Sequence, residues 1–115
     1  MIRTFIDLPL VEGEAEQLRQ LFRRHRILEA CVAQRGCRSA ELSIAEDGSR
    51  AIATAVWDDH GAYTRWQKHP DRAGFARATA DLLETPIPEN VSGDRFRIVH
   101  RAASRGGTGH GEGGG

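Results

Sequence analysis

A β-hairpin pattern in the middle of the chain constrains the fold more than any other feature of the sequence. Two strand-like stretches, residues 37–46 and 50–57, are joined through the turn sequence EDGS. An Asp-Gly pair between such stretches is a strong signal for an antiparallel hairpin. Along the second strand, Ala51, Ala53 and Ala55 share one face. A row of such small side chains leaves space above the strand, and either a closely packed helix or a ligand can fill it.

Patterns on both sides of the hairpin predict two more strands and three helices. The predicted elements are a strand at 1–10, a helix at 14–35, the two hairpin strands, a helix from an Asp cap at 58 or 59 to 69, a helix at 71–84 and a strand at 95–101. The order β-α-β-β-α-α-β is typical of an α+β fold, the ferredoxin-like split β-α-β antiparallel sheet with helices on one face. A second copy can cover the other face, so we predict a homodimer that forms a dimeric α+β barrel.

Length and charge exclude several classes of protein. The chain has 115 residues, with 16 basic and 16 acidic side chains, and this charge balance predicts no nucleic-acid partner. No apolar run reaches the roughly 18–20 residues of a membrane span, and the N-terminus lacks a signal-peptide pattern. We therefore expect a cytoplasmic protein with no membrane partner. Residues 1–102 suit one domain, and the Gly-rich residues 103–115 are predicted to be a disordered tail.

The two cysteines do not form a recognisable framework. Cys31 and Cys37 are too few and too close for a disulfide scaffold or a zinc site, so buried free thiols are the expected state and a functional pair is the alternative. No histidines or carboxylates stand at metal-ligand spacing, and we expect no metal.

Aromatic side chains follow the third strand. Trp57 shares the phase of the alanine row, so a pocket above the row would have an indole at one end. Tyr63 and Trp66 are three residues apart and share a face of the next helix. The alternative is that these rings form a small aromatic core cluster.

Two basic residues each allow two interpretations. Arg77 either pairs with Asp81 on the helix surface or turns its guanidinium inward as a donor to an oxyanion or phenolate. His25 falls in the apolar stripe of the first helix, where it is either a proton acceptor near neutral pH or a boundary residue of the core.

The chain resembles the antibiotic biosynthesis monooxygenase family over residues 39–83, which read SAELSIAEDGSRAIATAVWDDHGAYTRWQKHPDRAGFARATADLL. The shared features are a hairpin with a DG turn, a strand ending in Trp, a short acidic cap and a helix that contains AY. The match is nearest to the cofactor-independent monooxygenases that oxidise anthrones to quinones in aromatic polyketide pathways. In those enzymes an aromatic substrate lies between sheet and helices and itself supplies the electrons for oxygen.

This resemblance implies an oxidoreductase that uses molecular oxygen as co-substrate, without a cofactor, on a polycyclic phenol, anthrone or quinol. It implies that Trp57, Tyr63 and Arg77 lie in the pocket, with Trp57, Arg77 and His25 as the catalytic residues. The implied substrate contacts are Tyr63, Trp66, Ala53, Leu42 and Phe75. Ala53 and Leu42 stand where those enzymes have a strand asparagine and a second tyrosine. The alternatives are therefore a polyketide cyclase without oxygen chemistry and a non-catalytic barrel that binds a small molecule.

Overall fold

Four strands form one antiparallel sheet in the order β2-β3-β1-β4. The computed structural model describes residues 1–88 and 91–104. The strands are β1 (Ile2–Pro9), β2 (Cys37–Ile44), β3 (Arg50–Trp57) and β4 (Asp94–Arg97). The helices are α1 (Ala15–Arg24), α2 (Ile27–Val32), α3 (His60–Gln67) and α4 (Pro70–Thr79), and a 3₁₀ turn follows at Ala80–Leu82. The predicted α+β, ferredoxin-like split β-α-β fold is confirmed.

Local sequence signals account for the hairpin and for the start of α3. The backbone N–H of Ala45 donates to the carbonyl of Arg50 at 2.9 Å, and that of Gly48 donates to the carbonyl of Ala45 at 2.8 Å. Gly48 has φ 76°, a left-handed conformation that costs glycine little. Asp59 caps α3 by accepting a hydrogen bond from the backbone N–H of Ala62 at 2.9 Å. The predicted turn and the predicted Asp cap are both confirmed.

The prediction of one continuous helix over 14–35 is wrong. Arg26 adopts φ 52° and ψ 47°, a left-handed conformation that separates α1 from α2. The helical phase restarts after this residue, so Ile27 and Cys31, one turn apart in α2, are both buried. His25, at the C-cap of α1, lies on the exposed side of the break.

The helix predicted at 71–84 is shorter than expected. His69 caps α4, with its Nδ1 accepting a hydrogen bond from the backbone N–H of Asp71 at 3.1 Å. Pro70 occupies the first turn, where a backbone N–H would make no intrahelical hydrogen bond, so its absence in proline costs nothing. The α-helix ends at Thr79, because the chain tightens into the 3₁₀ turn and then extends.

The C-terminal part also differs from the expectation. The strand predicted at 95–101 ends at Arg97, although the backbone N–H of Ile98 still donates to the carbonyl of Met1 at 3.0 Å. The predicted tail lies outside the described residues from position 105 onward. Within residues 1–88 and 91–104, no helix is long and apolar enough to cross a membrane.

The pairing of β1 with β3 defines the face of the sheet that the helices cover. Ile2 lies opposite Trp57, and Thr4 lies opposite Ala55. Opposed residues of an antiparallel pair project from the same face, and all four of these side chains are buried. Two clusters of buried residues fill the space under the helices, one around Trp57 and one around Leu18.

The other face of the sheet presents an aromatic pair. Phe5 of β1 and Phe96 of β4 meet edge to face, with ring centroids 5.3 Å apart. Phe96 remains 55% exposed, so this face carries apolar surface that the described chain does not cover.

Candidate functional site

A largely apolar cavity of about 100 Å³ lies between the helices and the sheet. Ala53 and Ala55 supply its floor, whereas Ala51 packs in the buried cluster that contains Leu8 and Leu18. Close packing therefore covers one end of the alanine row, whereas a cavity lies above the other end. The walls of the cavity include Thr4, Cys31, Trp57, Tyr63, Trp66, Arg72 and Phe75.

Trp57 forms one wall, and a partner on the neighbouring strand holds its indole in place. The indole Nε1–H donates a hydrogen bond to Oγ1 of Thr4 at 3.1 Å, and both residues are buried. The ring also packs against Tyr63, with centroids 5.5 Å apart and planes tilted by 56°. The indole N–H is thus committed to the protein, and the ring offers the cavity an apolar surface.

The hydroxyl of Tyr63 accepts two hydrogen bonds. The backbone N–H of Gly93 donates to it at 2.7 Å, and Nη2 of Arg72 donates at 3.3 Å. A phenol oxygen accepts two hydrogen bonds and keeps one proton to donate. The Tyr63 proton is therefore the group in this arrangement that can be given to a ligand.

Glycine at position 93 makes the short contact to Tyr63 possible. A Cβ at this position would lie 2.7 Å from the carbonyl oxygen of Phe5 and 3.0 Å from the Tyr63 hydroxyl. Both distances are too short for ordinary packing, so a side chain here would push the backbone N–H away from the phenol.

Arg95 holds the ring of Tyr63 from another direction. Its guanidinium carbon lies 4.8 Å from the ring centroid, in the range of a cation–π contact. The same guanidinium reaches Oγ1 of Thr64 at 3.4 Å, Oε1 of Gln67 at 3.3 Å and Nδ1 of His60 at 3.3 Å. These contacts hold the side chain of Arg95, which comes from β4, against α3 and keep its guanidinium beside the Tyr63 ring.

Arg72 places a positive charge against the cavity. The residue is only 7% exposed, and its Nη1 has no hydrogen-bond partner among the described residues. Burial lowers the pKa of this guanidinium below its usual range, and nearby Tyr63 and Cys31 offset part of that effect. A buried charge that lacks a counter-ion is costly, so this nitrogen is a ready site for an anionic oxygen.

The cysteines also reach this region. Cys31 lies on the cavity wall, Cys37 is half-buried at the start of β2, and both are free thiols. Their sulfur atoms are 3.9 Å apart. Within the described part of the chain, no group of three His, Cys, Asp or Glu side chains is arranged to hold a metal ion.

Five of the residues expected to contact the substrate or catalyse the reaction line the cavity: Ala53, Trp57, Tyr63, Trp66 and Phe75. Leu42 does not line it. It lies instead in an adjoining groove, which shares Phe22 and Leu28 with the cavity.

The expected positions of Arg77 and His25 are corrected by the structure. Arg77 is exposed, whereas Arg72, five residues earlier on the same helix, points into the core. Five residues correspond to about 500° of helix rotation, so the two side chains project from different faces. His25 is exposed because the break at Arg26 ends the helical stripe in which it was placed.

Arg72 is the site residue that the sequence analysis missed. Once Pro70 is taken as the first residue of the helix, Arg72, Ala76 and Thr79 follow at intervals of four and three, and all three are buried. Alanine and threonine do not mark a buried face in a sequence, so this spacing becomes evident only from the burial of the three residues.

Comparison with known proteins assigns the chain to a family. The model of the antibiotic biosynthesis monooxygenase family matches residues 1–78. This protein therefore belongs to the antibiotic biosynthesis monooxygenase family. No curated protein matches its sequence.

Several solved structures share the fold. Rv0793 from Mycobacterium tuberculosis is 18% identical, with a TM-score of 0.69 over 89% of this chain and 98% of that one. PA3566 from Pseudomonas aeruginosa is 23% identical, with a TM-score of 0.64 over 85% and 94%. SnoaB, a cofactor-independent oxygenase from Streptomyces nogalater, is 21% identical, with a TM-score of 0.61 over 90% and 97%. At these identities the likeness establishes the fold.

Proposed function

We propose that this protein is a cofactor-independent monooxygenase that binds the anion of a phenol, anthrone or quinol in the cavity and oxidises it with molecular oxygen. The observation that carries this proposal is the buried Nη1 of Arg72, which has no partner within residues 1–88 and 91–104 and lies at the wall of a largely apolar cavity. An aromatic anion satisfies both features, because its rings bury apolar surface and its oxygen pairs with the guanidinium. The family membership and the resemblance to SnoaB support the same chemistry.

The substrate in this reaction is its own reductant. Its anion gives an electron to O₂, and the two radicals combine into a carbon-bound peroxide, which the Tyr63 hydroxyl protonates. The peroxide O–O bond then breaks as the same carbon loses its remaining proton, so that one oxygen stays as a carbonyl and the other leaves as water. A methylene group plus O₂ gives a carbonyl plus water, so the reaction needs no flavin or metal.

Arg72 acts in this scheme by stabilising negative charge. Its guanidinium pairs first with the phenolate or enolate oxygen and then with the peroxide that forms. His25 lies outside the cavity, so we propose that water accepts the first proton from the substrate. The buried cation at Arg72 favours this deprotonation because it stabilises the resulting anion.

The size of the cavity ranks the candidate substrates. The cavity has a volume of about 100 Å³. An engineered apolar cavity that binds benzene is larger, at about 150 Å³. Hydroquinones with one or two rings therefore require the smallest displacement of wall side chains such as Phe75. Three-ring anthrones require a larger one.

Oxygen uptake by metal-stripped protein tests the proposal, with hydroquinones and anthrones of increasing ring number and mass analysis of products formed under ¹⁸O₂. We expect uptake with one labelled oxygen incorporated per product molecule and the other released as water. Arg72→Met should lower kcat/KM by about 100-fold or more, the usual effect of removing a donor to a developing oxyanion. Arg77→Met, on the same helix but exposed, is the matched control and should be unaffected. Full turnover by Arg72→Met would contradict the mechanism.

A polyketide cyclase is the second candidate, because the same polar groups at the cavity can also support proton transfer without oxygen. Ala53 on the floor is apolar, and Leu42 lies outside the cavity altogether. Thr4, Tyr63 and Arg72 are left to bind an enolate and return a proton. Turnover that persists without oxygen would favour the cyclase, and binding without any turnover would indicate a ligand-binding barrel.

We also propose that the protein is a homodimer whose two sheets meet through the face that carries Phe5 and Phe96. The observation that supports it is the 55% exposure of Phe96 beside a second aromatic ring. A second copy that covers this face would bury the aromatic pair.

A further inference from the structure

We propose that Cys31 and Cys37 are a peroxide-oxidised pair that closes reversibly into an intramolecular disulfide at the cavity wall. This inference does not rest on the proposed oxygenase or cyclase activity. It rests on the contact of the two sulfur atoms and on the position of one of them at the cavity.

The two thiols are close enough to join with a small movement. Their sulfur atoms are 3.9 Å apart, and a disulfide requires about 2.05 Å, so they must approach by a little under 2 Å. Cys31 stands at the end of α2, where side-chain rotation can supply this movement. Cys37 begins β2 next to an irregularity in its pairing with β3, between Cys37 and Ser39, which leaves that strand end adaptable.

The short connection between the cysteines is braced by local hydrogen bonds. The backbone N–H of Gln34 donates to the carbonyl of Cys31 at 3.0 Å, and that of Cys37 donates to the carbonyl of Gln34 at 3.0 Å. The Gln34 side chain also donates to the carbonyl of Ala30 at 3.1 Å. The turn therefore presents the two thiols to each other in the reduced state.

Their surroundings assign different roles to the two sulfurs. Cys37 is half-buried, and its hydrogen bond with Cys31 lowers the pKa of its thiol. The pKa of Cys31 is raised, first by that same hydrogen bond and then by burial. Because the thiolate is the nucleophile, Cys37 attacks the oxidant and Cys31 resolves the intermediate.

The oxidant is a hydroperoxide, ROOH, and the step balances with it alone. The Cys37 thiolate attacks the terminal peroxide oxygen, the O–O bond breaks, and ROH leaves, which gives a sulfenic acid on Cys37. The Cys31 sulfur then attacks the Cys37 sulfur, a disulfide forms, and water leaves. Two thiols and one ROOH become one disulfide, ROH and H₂O, and a dithiol reductant reverses the change.

The disulfide changes the cavity as well as the thiols. Cys31 lines the cavity, and its charge interaction with Arg72 is one of the influences on the pKa of both groups. Drawing the Cys31 sulfur toward β2 moves a wall atom away from the ligand space. We therefore expect the oxidised and reduced forms to differ in their affinity for an aromatic anion.

Hydrogen peroxide titration of the reduced protein tests the pair. We expect both thiols to be lost together and the mass of the chain to fall by that of two hydrogen atoms. Peptide mapping should find residues 31 and 37 in one disulfide-linked peptide, and dithiothreitol should reverse all of these changes. In Cys31→Ala, Cys37 should stop at a sulfenic acid that dimedone traps. In Cys37→Ser, the buried Cys31 thiol should react with peroxide at least about tenfold more slowly than the thiols of the wild type.

The pH dependence of thiol oxidation is a second test, because cysteines with a purely structural role would not change it. The rate of thiol loss should rise with pH through the pKa of Cys37, with a midpoint below that of an ordinary cysteine, because the thiolate reacts. In Cys31→Ala the hydrogen-bond donor is lost, so the midpoint should move up. A wild-type protein that accumulates sulfenic acid with Cys31 unreacted, or that links two chains instead, would overturn the proposal.

Discussion

Nη2 of Arg72 donates a hydrogen bond to the hydroxyl of Tyr63 at 3.3 Å, and Nη1 of the same guanidinium is left buried without a partner among the described residues. One nitrogen is thus committed to holding the phenol, and the other is available to an anion. In the proposed mechanism, one cation therefore both positions Tyr63 and pairs with the substrate anion.

Arg72→Met should stabilise the protein while weakening its function. The substitution removes a buried charge that has no counter-ion among the described residues, and it keeps most of the apolar stem. We therefore expect the free energy of unfolding to rise by about 1 kcal/mol or more. Affinity for an aromatic phenolate should fall at the same time. Urea denaturation and fluorescence titration measure the two effects. Arg77→Met should change unfolding by less than about 0.5 kcal/mol, as exposed substitutions usually do. A strongly destabilised Arg72→Met would show that the charge has a partner in the fold.

Thr4→Val should destabilise the protein through Trp57. The valine has a similar shape but leaves the indole Nε1–H, now 3.1 Å from Oγ1 of Thr4, buried without an acceptor. A buried donor that loses its partner costs about 1–3 kcal/mol, which thermal or urea unfolding would detect. Thr4→Ser keeps the hydroxyl and is the control. A Thr4→Val protein as stable as the wild type would show that the indole N–H does not depend on the Thr4 hydroxyl and would contradict the prediction.

Gly93→Ala and Gly74→Ala should act in opposite directions. A Cβ on Gly93 would lie 2.7 Å from the carbonyl oxygen of Phe5, so the backbone must shift and the short contact to Tyr63 must lengthen. A Cβ on Gly74 has nothing nearer than a side-chain nitrogen of Arg77 at 3.8 Å. Alanine in that helix should therefore stabilise by about 0.5–1 kcal/mol.

Differential scanning calorimetry distinguishes the two glycine variants, and ligand titration shows whether Gly93→Ala also weakens binding at the phenol. A Gly93→Ala protein as stable as the wild type would mean that the loop before β4 accommodates the methyl group. In that case the argument for a required glycine fails.

Phe96→Asp should separate the proposed dimer. Phe96 is 55% exposed and stacks edge-on against Phe5, so a carboxylate there would place a charge in the centre of the proposed interface. We expect light scattering to report the mass of a dimer for the wild type and of a monomer for the variant. Val99→Asp is a useful control, because Val99 is 81% exposed and lies beyond β4. A monomeric wild type at micromolar concentration would contradict the proposal.

Much of the fold follows from local rules that act over a few residues. The turn at Gly48 and the cap at Asp59 each depend on neighbours close in sequence, and each occurs as predicted. The position of Trp57 beside the alanine row also follows, because strand phase alone places it on the same face as Ala53 and Ala55.

The phase of α4 could not be derived in the same way. Its large apolar residue is Phe75, and the positions around both Arg72 and Arg77 are alanines, glycine or threonine that tolerate burial and exposure alike. With so weak an apolar stripe, the pattern does not identify which arginine is buried. Contact with Tyr63 and the cavity decides it.

The sequence by itself determined the order of strands and helices, the hairpin, and the face of β3 above which space would remain, since these depend on backbone preferences and side-chain periodicity within each element. Only the tertiary structure decided that Arg26 breaks the first helix, that Arg72 is the buried cation, and that Cys31 meets Cys37. The physical reason is that burial and charge pairing are properties of the packed assembly of elements. A residue's place in that assembly depends on partners far from it in sequence.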